Sequence, residues 1–458
     1  MSPQTRNLRR CAVTILIATS CASPSDREPW QASERSGEPQ VLPSLHADAQ
    51  AAEQAPVDLQ FRGEQTRADY VQFALENSFE LKAAFASWNA QQEAIEISST
   101  LPAPRLVFAE FLEEVQTRTG PQERKIGLSQ VFPWPGQLDA KTEVAEHRAT
   151  AAWERLESEQ LRIRSEVEVA FDDYAFLQRE ERVIGQLVEI LHGFDPIVQA
   201  RIRGGGSQQD LLRLQVEIGR AEDRLARVRA RRSASFARLA DRIGLRQLPA
   251  ELPEIQLEVA PQFTLDSAKL HELALQRSPE LRSLGALYDA ARSEEGLADF
   301  VRRPSFMVGV ETIITGDASM PGVPGSGDDP WVISVGMDLP IWGPSYDAIG
   351  RRARQELTAA RARWDGKALS LRAAIENETY IAEDAQRRAS LYRDILLPRA
   401  SEALELSLAA YRGGTATALD LIDSERTLLE FELAYWRANL DQWQAISRLR
   451  FLVGGEFS

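Results

Sequence analysis

Two stretches in the second half of the chain alternate with a period of two. Phe306, Val308, Val310, Thr312 and Ile314 share one side of an extended chain, and Trp331, Ile333, Val335, Met337 and Leu339 alternate with Val332, Ser334, Gly336 and Asp338. One apolar face against a small or polar one, sustained for about 9 to 11 residues, is what a membrane barrel strand requires. Elsewhere the period is helical. Segments at about 68 to 101 and 266 to 302 read as helices that stop before Pro104 and Pro304, since proline disfavours helical geometry in the residue before it. Longer stretches follow at about 137 to 202 and 346 to 412, and some 66 residues at about 1.5 Å each give roughly 100 Å of helix. After a glycine turn comes a further helix in each half, at about 208 to 243 and 417 to 453. Its apolar residues recur every seven: Leu211, Ile218, Leu225 and Leu239 with Leu214, Ala221 and Val228, then Ile422, Leu429, Trp436 and Trp443 with Leu419, Leu433 and Leu440. Such a seam needs a neighbouring helix. The two shorter helices of each half, stacked end to end, match the long one in length, which predicts an antiparallel array.

The body is therefore one unit written twice, over 66–250 and 251–458. The segment Ala74 to Ala83 aligns with Ala274 to Ser283 at an offset of 200 with five of ten positions identical, and Pro104 and Pro304 keep that offset. Phe132-Pro133-Trp134-Pro135-Gly136 aligns with Leu339-Pro340-Ile341-Trp342-Gly343 at 207, and Gly204, Asp210, Leu211 and Gly244 align with Gly414, Asp420, Leu421 and Gly454 at 210. Each copy holds a β-hairpin, at about 105–132 and 305–340. The register of the first is open, because Glu110 falls where its counterpart Val310 is apolar. The smallest membrane barrels use about eight strands, and an open edge in lipid costs several kcal/mol for each unsatisfied backbone group. Four strands per chain thus demand oligomerisation, with two copies supplying 8 strands and three supplying 12.

The amino terminus reads as an address. Arg6, Arg9 and Arg10 precede the apolar run Cys11 to Ala18, and the whole of 1–20 is a secretory signal, too short for a stable membrane anchor. Ala18-Thr19-Ser20-Cys21 resembles a lipobox, in which Cys21 is acylated; the alternative is an ordinary signal peptidase site near Ser20. Ala22 rather than Asp after the cysteine is similar to lipoproteins of the outer membrane. Residues 21–65, rich in Pro, Ser, Ala, Gln and Glu, form an extended tether.

Charge and composition then remove whole classes. With 53 Lys plus Arg against 68 Asp plus Glu, the 458-residue chain has a net charge of −15, against a nucleic-acid partner. Loss of residues 1–20 takes three positive charges and leaves −18. Both cysteines lie within the first 21 residues and there are four histidines, so no zinc site, thiol nucleophile or disulfide framework is expected. Without a phosphate loop or a nucleophile elbow, no enzyme and no cofactor are expected either.

The signal and lipobox, the duplicated order of helix, strand pair, long helix and helix, and the motifs Tyr411-Arg412-Gly413-Gly414-Thr415 through Asp420 to Asp423 and Gly204-Gly205 through Asp210 resemble the TolC family of outer-membrane efflux channels. The resemblance spans about 65 to 455. It implies a mainly α protein with a membrane β-barrel: a homotrimer with a 12-stranded barrel and an α-helical periplasmic tunnel, held in outer-membrane lipid. It also implies a periplasmic adaptor and an inner-membrane efflux pump of RND type as partners, with passive conduction and no resident metal. By the same resemblance Gly204, Gly205, Gly413, Gly414 and Thr415 mark hairpin tips where the adaptor docks. Tyr411 and Asp210 match residues that tie hairpins together in the closed aperture, and Asp420 and Asp423 match acidic rings. The alternative reading is that Asp210 and Asp420 accept backbone hydrogen bonds or favour the dipole in the first helical turn. The founding member carries an arginine where this chain has Ala416, so the lock must differ. The Phe132 to Gly136 landmark is similar to channels paired with heavy-metal pumps, which leaves metal cations and drugs both open as cargo. Trp134, Trp331 and Trp342 suit either a membrane-interface girdle or packing at the turns. A second class, a periplasmic coiled-coil adaptor or scaffold lipoprotein, shares the signal and the heptads but not the duplicated strand pairs. Cys21→Ser is expected to abolish labelling by radioactive palmitate, and continued labelling would refute the lipid assignment.

Overall fold

The computed structural model describes residues 66–205, 207–245 and 253–457. The signal, Cys21 and the tether lie outside the described residues.

Each half follows the same course. In the first, α1 (Arg67–Asn77) and α2 (Phe79–Ser99) lead to β1 (Arg105–Thr117) and β2 (Gly120–Phe132), then α3 (Gln137–Arg203) and α4 (Gln208–Arg242). In the second, α5 (Ser267–Arg277) and α6 (Pro279–Ala298) lead to β3 (Phe306–Thr315) and β4 (Trp331–Met337), then α7 (Gly343–Leu391), α8 (Leu397–Arg412) and α9 (Ala418–Val453).

Three details correct the expected elements. The first helix of each half is two helices, broken at Ser78 and Ser278, both extended. Ser78 accepts the Leu81 N–H with its hydroxyl and so opens α2, while Ser278 precedes Pro279, which bars it from helical geometry. The long helix of the second half is interrupted by a single π-turn at Tyr392–Leu396, next to Pro398, whose missing N–H cannot continue the regular ladder. Leu339 lies beyond the end of β4.

The duplication is carried into the joints. After α4 the chain turns at Gly244 with φ +73°, and after α9 at Gly454 with φ +91°, where a side chain is strained. Gly244 faces the carbonyl of Asn77 and Gly454 that of Arg277, so each closing helix docks on the kink in its own half. A Cβ at Gly454 would meet the Arg277 carbonyl oxygen at 2.5 Å.

The helices form a wall. α3 packs on α4, α6 and α9, while α7 and α8 pack on α9, which leaves α4 at one edge and α7 with α8 at the other. The heptad seam of α4 is buried at Leu214, Ala221, Val228 and Leu239, and that of α9 at Ile422, Leu429, Leu433 and Leu440; Leu419, expected in the seam, is exposed. Residues 253–265 cross this wall as a strap without a partner strand among the described residues. Side-chain amides take up its backbone instead: the buried Gln178 of α3 accepts the Ile255 N–H at 2.8 Å, the buried Asn439 of α9 accepts the Ala260 N–H at 2.9 Å and the half-buried Gln386 of α7 accepts the Phe263 N–H at 2.9 Å. α1 is pinned by Arg67, which pairs with the buried Asp172 of α3 and stacks 3.9 Å over the ring of Trp443 of α9. One oxygen of Asp172 has no hydrogen-bond partner among the described residues.

The four strands make one antiparallel sheet in the order β1-β2-β3-β4. Its registers put Leu106 opposite Leu128, Leu128 opposite Val310 and Val310 opposite Ile333, and put Phe132 opposite Phe306 and Phe306 opposite Met337. The first hairpin's register is thereby settled: Glu110 faces Arg124 at 3.6 Å, and a bulge follows it before Val115.

Burial pushes Asp172 up to about 7, against the opposing pull of Arg67. A carboxyl raised in the folded state binds its proton more tightly than the unfolded chain does, so stability falls as pH rises from about 4 to about 7. The melting midpoint of the helical body is expected to drop by several degrees over that window, and Asp172→Asn is expected to remove most of the drop in a thermal scan followed by helical circular dichroism.

Candidate functional site

The sheet has one face with an unusual exposure. On a soluble protein the apolar side of a strand is covered and the polar side is wet; here the order is reversed. Along β4 the apolar Ile333 and Val335 are 78% and 75% exposed, while the alternating Ser334 and Gly336 are partly covered. On β1 Leu106 and Phe108 are exposed on that same side, as are Ile126 and Leu128 of β2. The apolar row thus runs unbroken across four strands, far beyond the scattered single apolar residues of an ordinary surface. The opposite face carries Ser129, Gly309 and Ser334 in one row and an ion pair of Lys125 with Glu311 at 2.6 Å. Trp331 is exposed at one end of the apolar band, and Trp342 just beyond the other, past β4. Trp134 packs at the turn, stacked on Phe306 at 5.9 Å with Arg303 over it. Among the described residues no helix is long and apolar enough to cross a membrane.

At the other end of the long helices lie the two glycine turns. Gly204 caps α3 and Gly205 takes φ +100°; Gly413 caps α8 and Gly414 takes φ +81°. The N–H groups of Thr415 and Ala416 both donate to the Ala410 carbonyl, at 3.0 and 3.2 Å, which reverses the chain tightly. Arg201 binds the two turns to each other: its Nη1 donates to the Ala416 carbonyl at 3.0 Å and its guanidinium lies 4.9 Å over the ring of Tyr411. The two tips therefore stand level. Tyr411 is 5% exposed, in a core shared by α3, α4, α8 and α9 with Leu191, Val198, Leu214, Leu421 and Ile422. Its hydroxyl has no hydrogen-bond partner among the described residues, so the tie to Asp210 is not made within the chain.

Two of the three aspartates open helices, and Asp423 stands one turn further into α9. Asp210 stands in the first turn of α4. Asp420 completes a capping box with Thr417, accepting its N–H at 2.8 Å and its hydroxyl at 2.7 Å, while the Asp420 N–H donates to the Thr417 hydroxyl at 3.3 Å. The Thr417 N–H and then its hydroxyl hold the Asp420 carboxyl below the usual carboxylate range. Asp423 pairs with Arg426 at 3.0 Å. Both cap and charge are thus realised at Asp420, which is exposed and ionised at neutral pH. Arg201 escaped the sequence reading, since an arginine in a long charged helix carries no local mark of a contact 215 positions away. Among the described residues no cluster of three or more His, Cys, Asp or Glu is placed to hold a metal.

Comparison with known proteins accords with this geometry. Residues 270–455 match the family described as outer membrane efflux protein. The outer membrane protein OprJ of Pseudomonas aeruginosa is 25% identical over 337 residues, covering 70% of this chain and 67% of OprJ. In structure the chain is similar to the outer membrane protein VceC of Vibrio cholerae, with a TM-score of 0.71, 18% identity and coverage of 86% and 97%. It is also similar to the MtrE outer membrane channel of Neisseria gonorrhoeae in its open state, with a TM-score of 0.68, 20% identity and coverage of 85% and 89%.

Proposed function

We propose, on the premise that the second repeat belongs to the outer membrane efflux protein family, that this chain is the outer-membrane exit channel of a tripartite efflux system. The observation that carries the reading is the four-stranded sheet with its apolar face turned out and both edges, β1 and β4, unpaired among the described residues. Lipid is the solvent that suits such a face, and strand pairing with further copies is what satisfies such edges. Three copies give a 12-stranded barrel, with the small and polar face lining the pore and the helices continuing it as a tunnel into the periplasm. A periplasmic adaptor or scaffold has no use for an outward apolar band, which favours the channel.

In this reading the outer-membrane lipid meets Leu106, Phe108, Ile333 and Val335, and a lipid on Cys21 adds a second hold. The tips at Gly204, Gly205, Gly413, Gly414 and Thr415 receive a periplasmic adaptor, which couples the tunnel to an inner-membrane pump of RND type. Symmetry repeats Asp420 and Asp423 around one axis, and rings of exposed carboxylates attract cations and repel anions. The cargo is a small solute, a metal cation or a drug, conducted without chemistry.

Purified protein is expected to migrate as three copies in mild detergent, to shift on heating before electrophoresis, and to give discrete current steps across a planar lipid film. A monomer without current would refute the channel. Asp420→Ala with Asp423→Ala is expected to lower the preference for cations in those recordings while the steps persist; unchanged selectivity would remove the acidic rings and leave the channel standing.

A further inference from the structure

The two faces of the helical wall are dressed differently. One carries a second layer. Arg67 of α1 stacks on Trp443 of α9, whose indole N–H donates to the Glu258 carbonyl of the strap at 3.0 Å, and the Gln178 amide of α3 donates to the Pro253 carbonyl at 2.6 Å. In a tunnel that layer stands outside, because inside it would fill the bore. Asp173 and Arg448 lie five residues from Gln178 and Trp443, and at 3.6 residues per turn each is about 140° round its helix. They meet on the other face, where with α4 they line a cavity of about 350 Å³ that opens on the bore. A volume of that order takes a small organic molecule.

Two hydroxyls in the cavity lack partners. Ser165 of α3 and Ser235 of α4 line it at 8% and 2% exposure, and neither side chain makes a hydrogen bond among the described residues, even to the carbonyl one turn back that a helical serine can use. Buried hydroxyls are otherwise nearly always bonded.

The charges follow the same pattern. Arg238 and Asp241 stand one turn apart on α4, both exposed, and neither makes an ion pair among the described residues. Arg448 reaches Glu378 only at 3.4 Å, and Asp173 accepts the Gln444 amide at 2.9 Å with one of its two oxygens. Glu166, by contrast, is taken by Arg162 at 2.6 Å and by Arg242 at 2.9 Å. Two arginines, two aspartates and two hydroxyls are thus left to a ligand, beside the apolar Val169 and Ala170.

That balance of charge selects the ligand. A plain anion meets Asp173 and Asp241, and a plain cation meets Arg238 and Arg448. A molecule with both a carboxylate and an ammonium group satisfies both pairs: arginine N–H groups donate to the carboxylate, the aspartates accept from the ammonium, and serine hydroxyls bond to either end.

We propose that this cavity binds a small zwitterion of the amino-acid or short-peptide class in the wall of the tunnel. The inference rests on the channel read above and deepens it, adding a class of solute and placing one site per subunit round the bore.

Alanyl-alanine is the probe, with its N-acetyl form as the anion and its C-terminal amide as the cation. Calorimetry on the full chain in mild detergent is expected to show binding of the zwitterion, with both single-charge forms about tenfold weaker or more. Arg238→Gln is expected to weaken the zwitterion about tenfold, and Ser165→Ala with Ser235→Ala to do the same while helical circular dichroism is unchanged. Should the double alanine variant fail to fold, Arg238→Gln alone decides. The site is overturned if the three forms bind alike, if Arg238→Gln binds as the parent does, or if the dipeptide does not bind. Current recordings separate this from the channel reading. Steps that persist while the dipeptide fails to bind leave the channel standing without the site; a dipeptide that binds in the expected order to a protein passing no current refutes the channel and leaves the cavity as a binding site.

Discussion

The constraint on which the structure turns is the row of unpaired backbone groups along the outer strands of the sheet. Every peptide brings one donor and one acceptor, and in hydrocarbon each must find a partner or cost several kcal/mol. Within the chain β2 and β3 are paired on both sides, and β1 and β4 on one. In water such edges are tolerable and the apolar face is the fault; in lipid the face is at home and the edges are the fault. Only a closed ring of strands resolves both, which ties the number of subunits to the number of strands each brings.

The duplication lets one chain meet that constraint economically. Each half contributes a hairpin, and the two hairpins join through β2 and β3 because the halves pack side by side through α3, α6 and α9. Gly244 on Asn77 and Gly454 on Arg277 repeat one joint, so the halves share a shape and their strands emerge at the same height. Where they differ, the cause is local. The π-turn beside Pro398 falls in the second half, while α3 passes Pro196 without a break. The strap at 253–265 connects the halves and is held by the side-chain amides of Gln178, Asn439 and Gln386 at its crossing points.

Period and repetition made much of this legible in the sequence. The alternation from Phe306 to Met337 predicted strands whose apolar side is exposed, and the heptads of α4 and α9 located the buried line of each seam, with Leu211, Ile218, Leu225, Trp436 and Trp443 half-buried beside it and Leu419 outside it. What stayed hidden depends on distance rather than pattern. Glu110 looked like a misplaced charge until the pairing put Arg124 across from it, because a cross-strand partner has no mark in the local sequence. The break at Ser78 has no proline to announce it, unlike the one at Ser278. The strap lacked any periodicity, since its hydrogen bonds go to side chains. At the tip, glycine and aspartate spacing named the turns, yet Arg201 and the burial of Tyr411 follow from how two hairpins meet.

Closure of the sheet and closure of the helical wall are different problems. Strand edges are self-complementary in any register that pairs their backbone groups, so hydrogen bonding alone tolerates slippage by two residues. Long helices tolerate it too, because an apolar seam with a heptad repeat looks alike one heptad further on. A ring built from both needs some feature that distinguishes one height from the next.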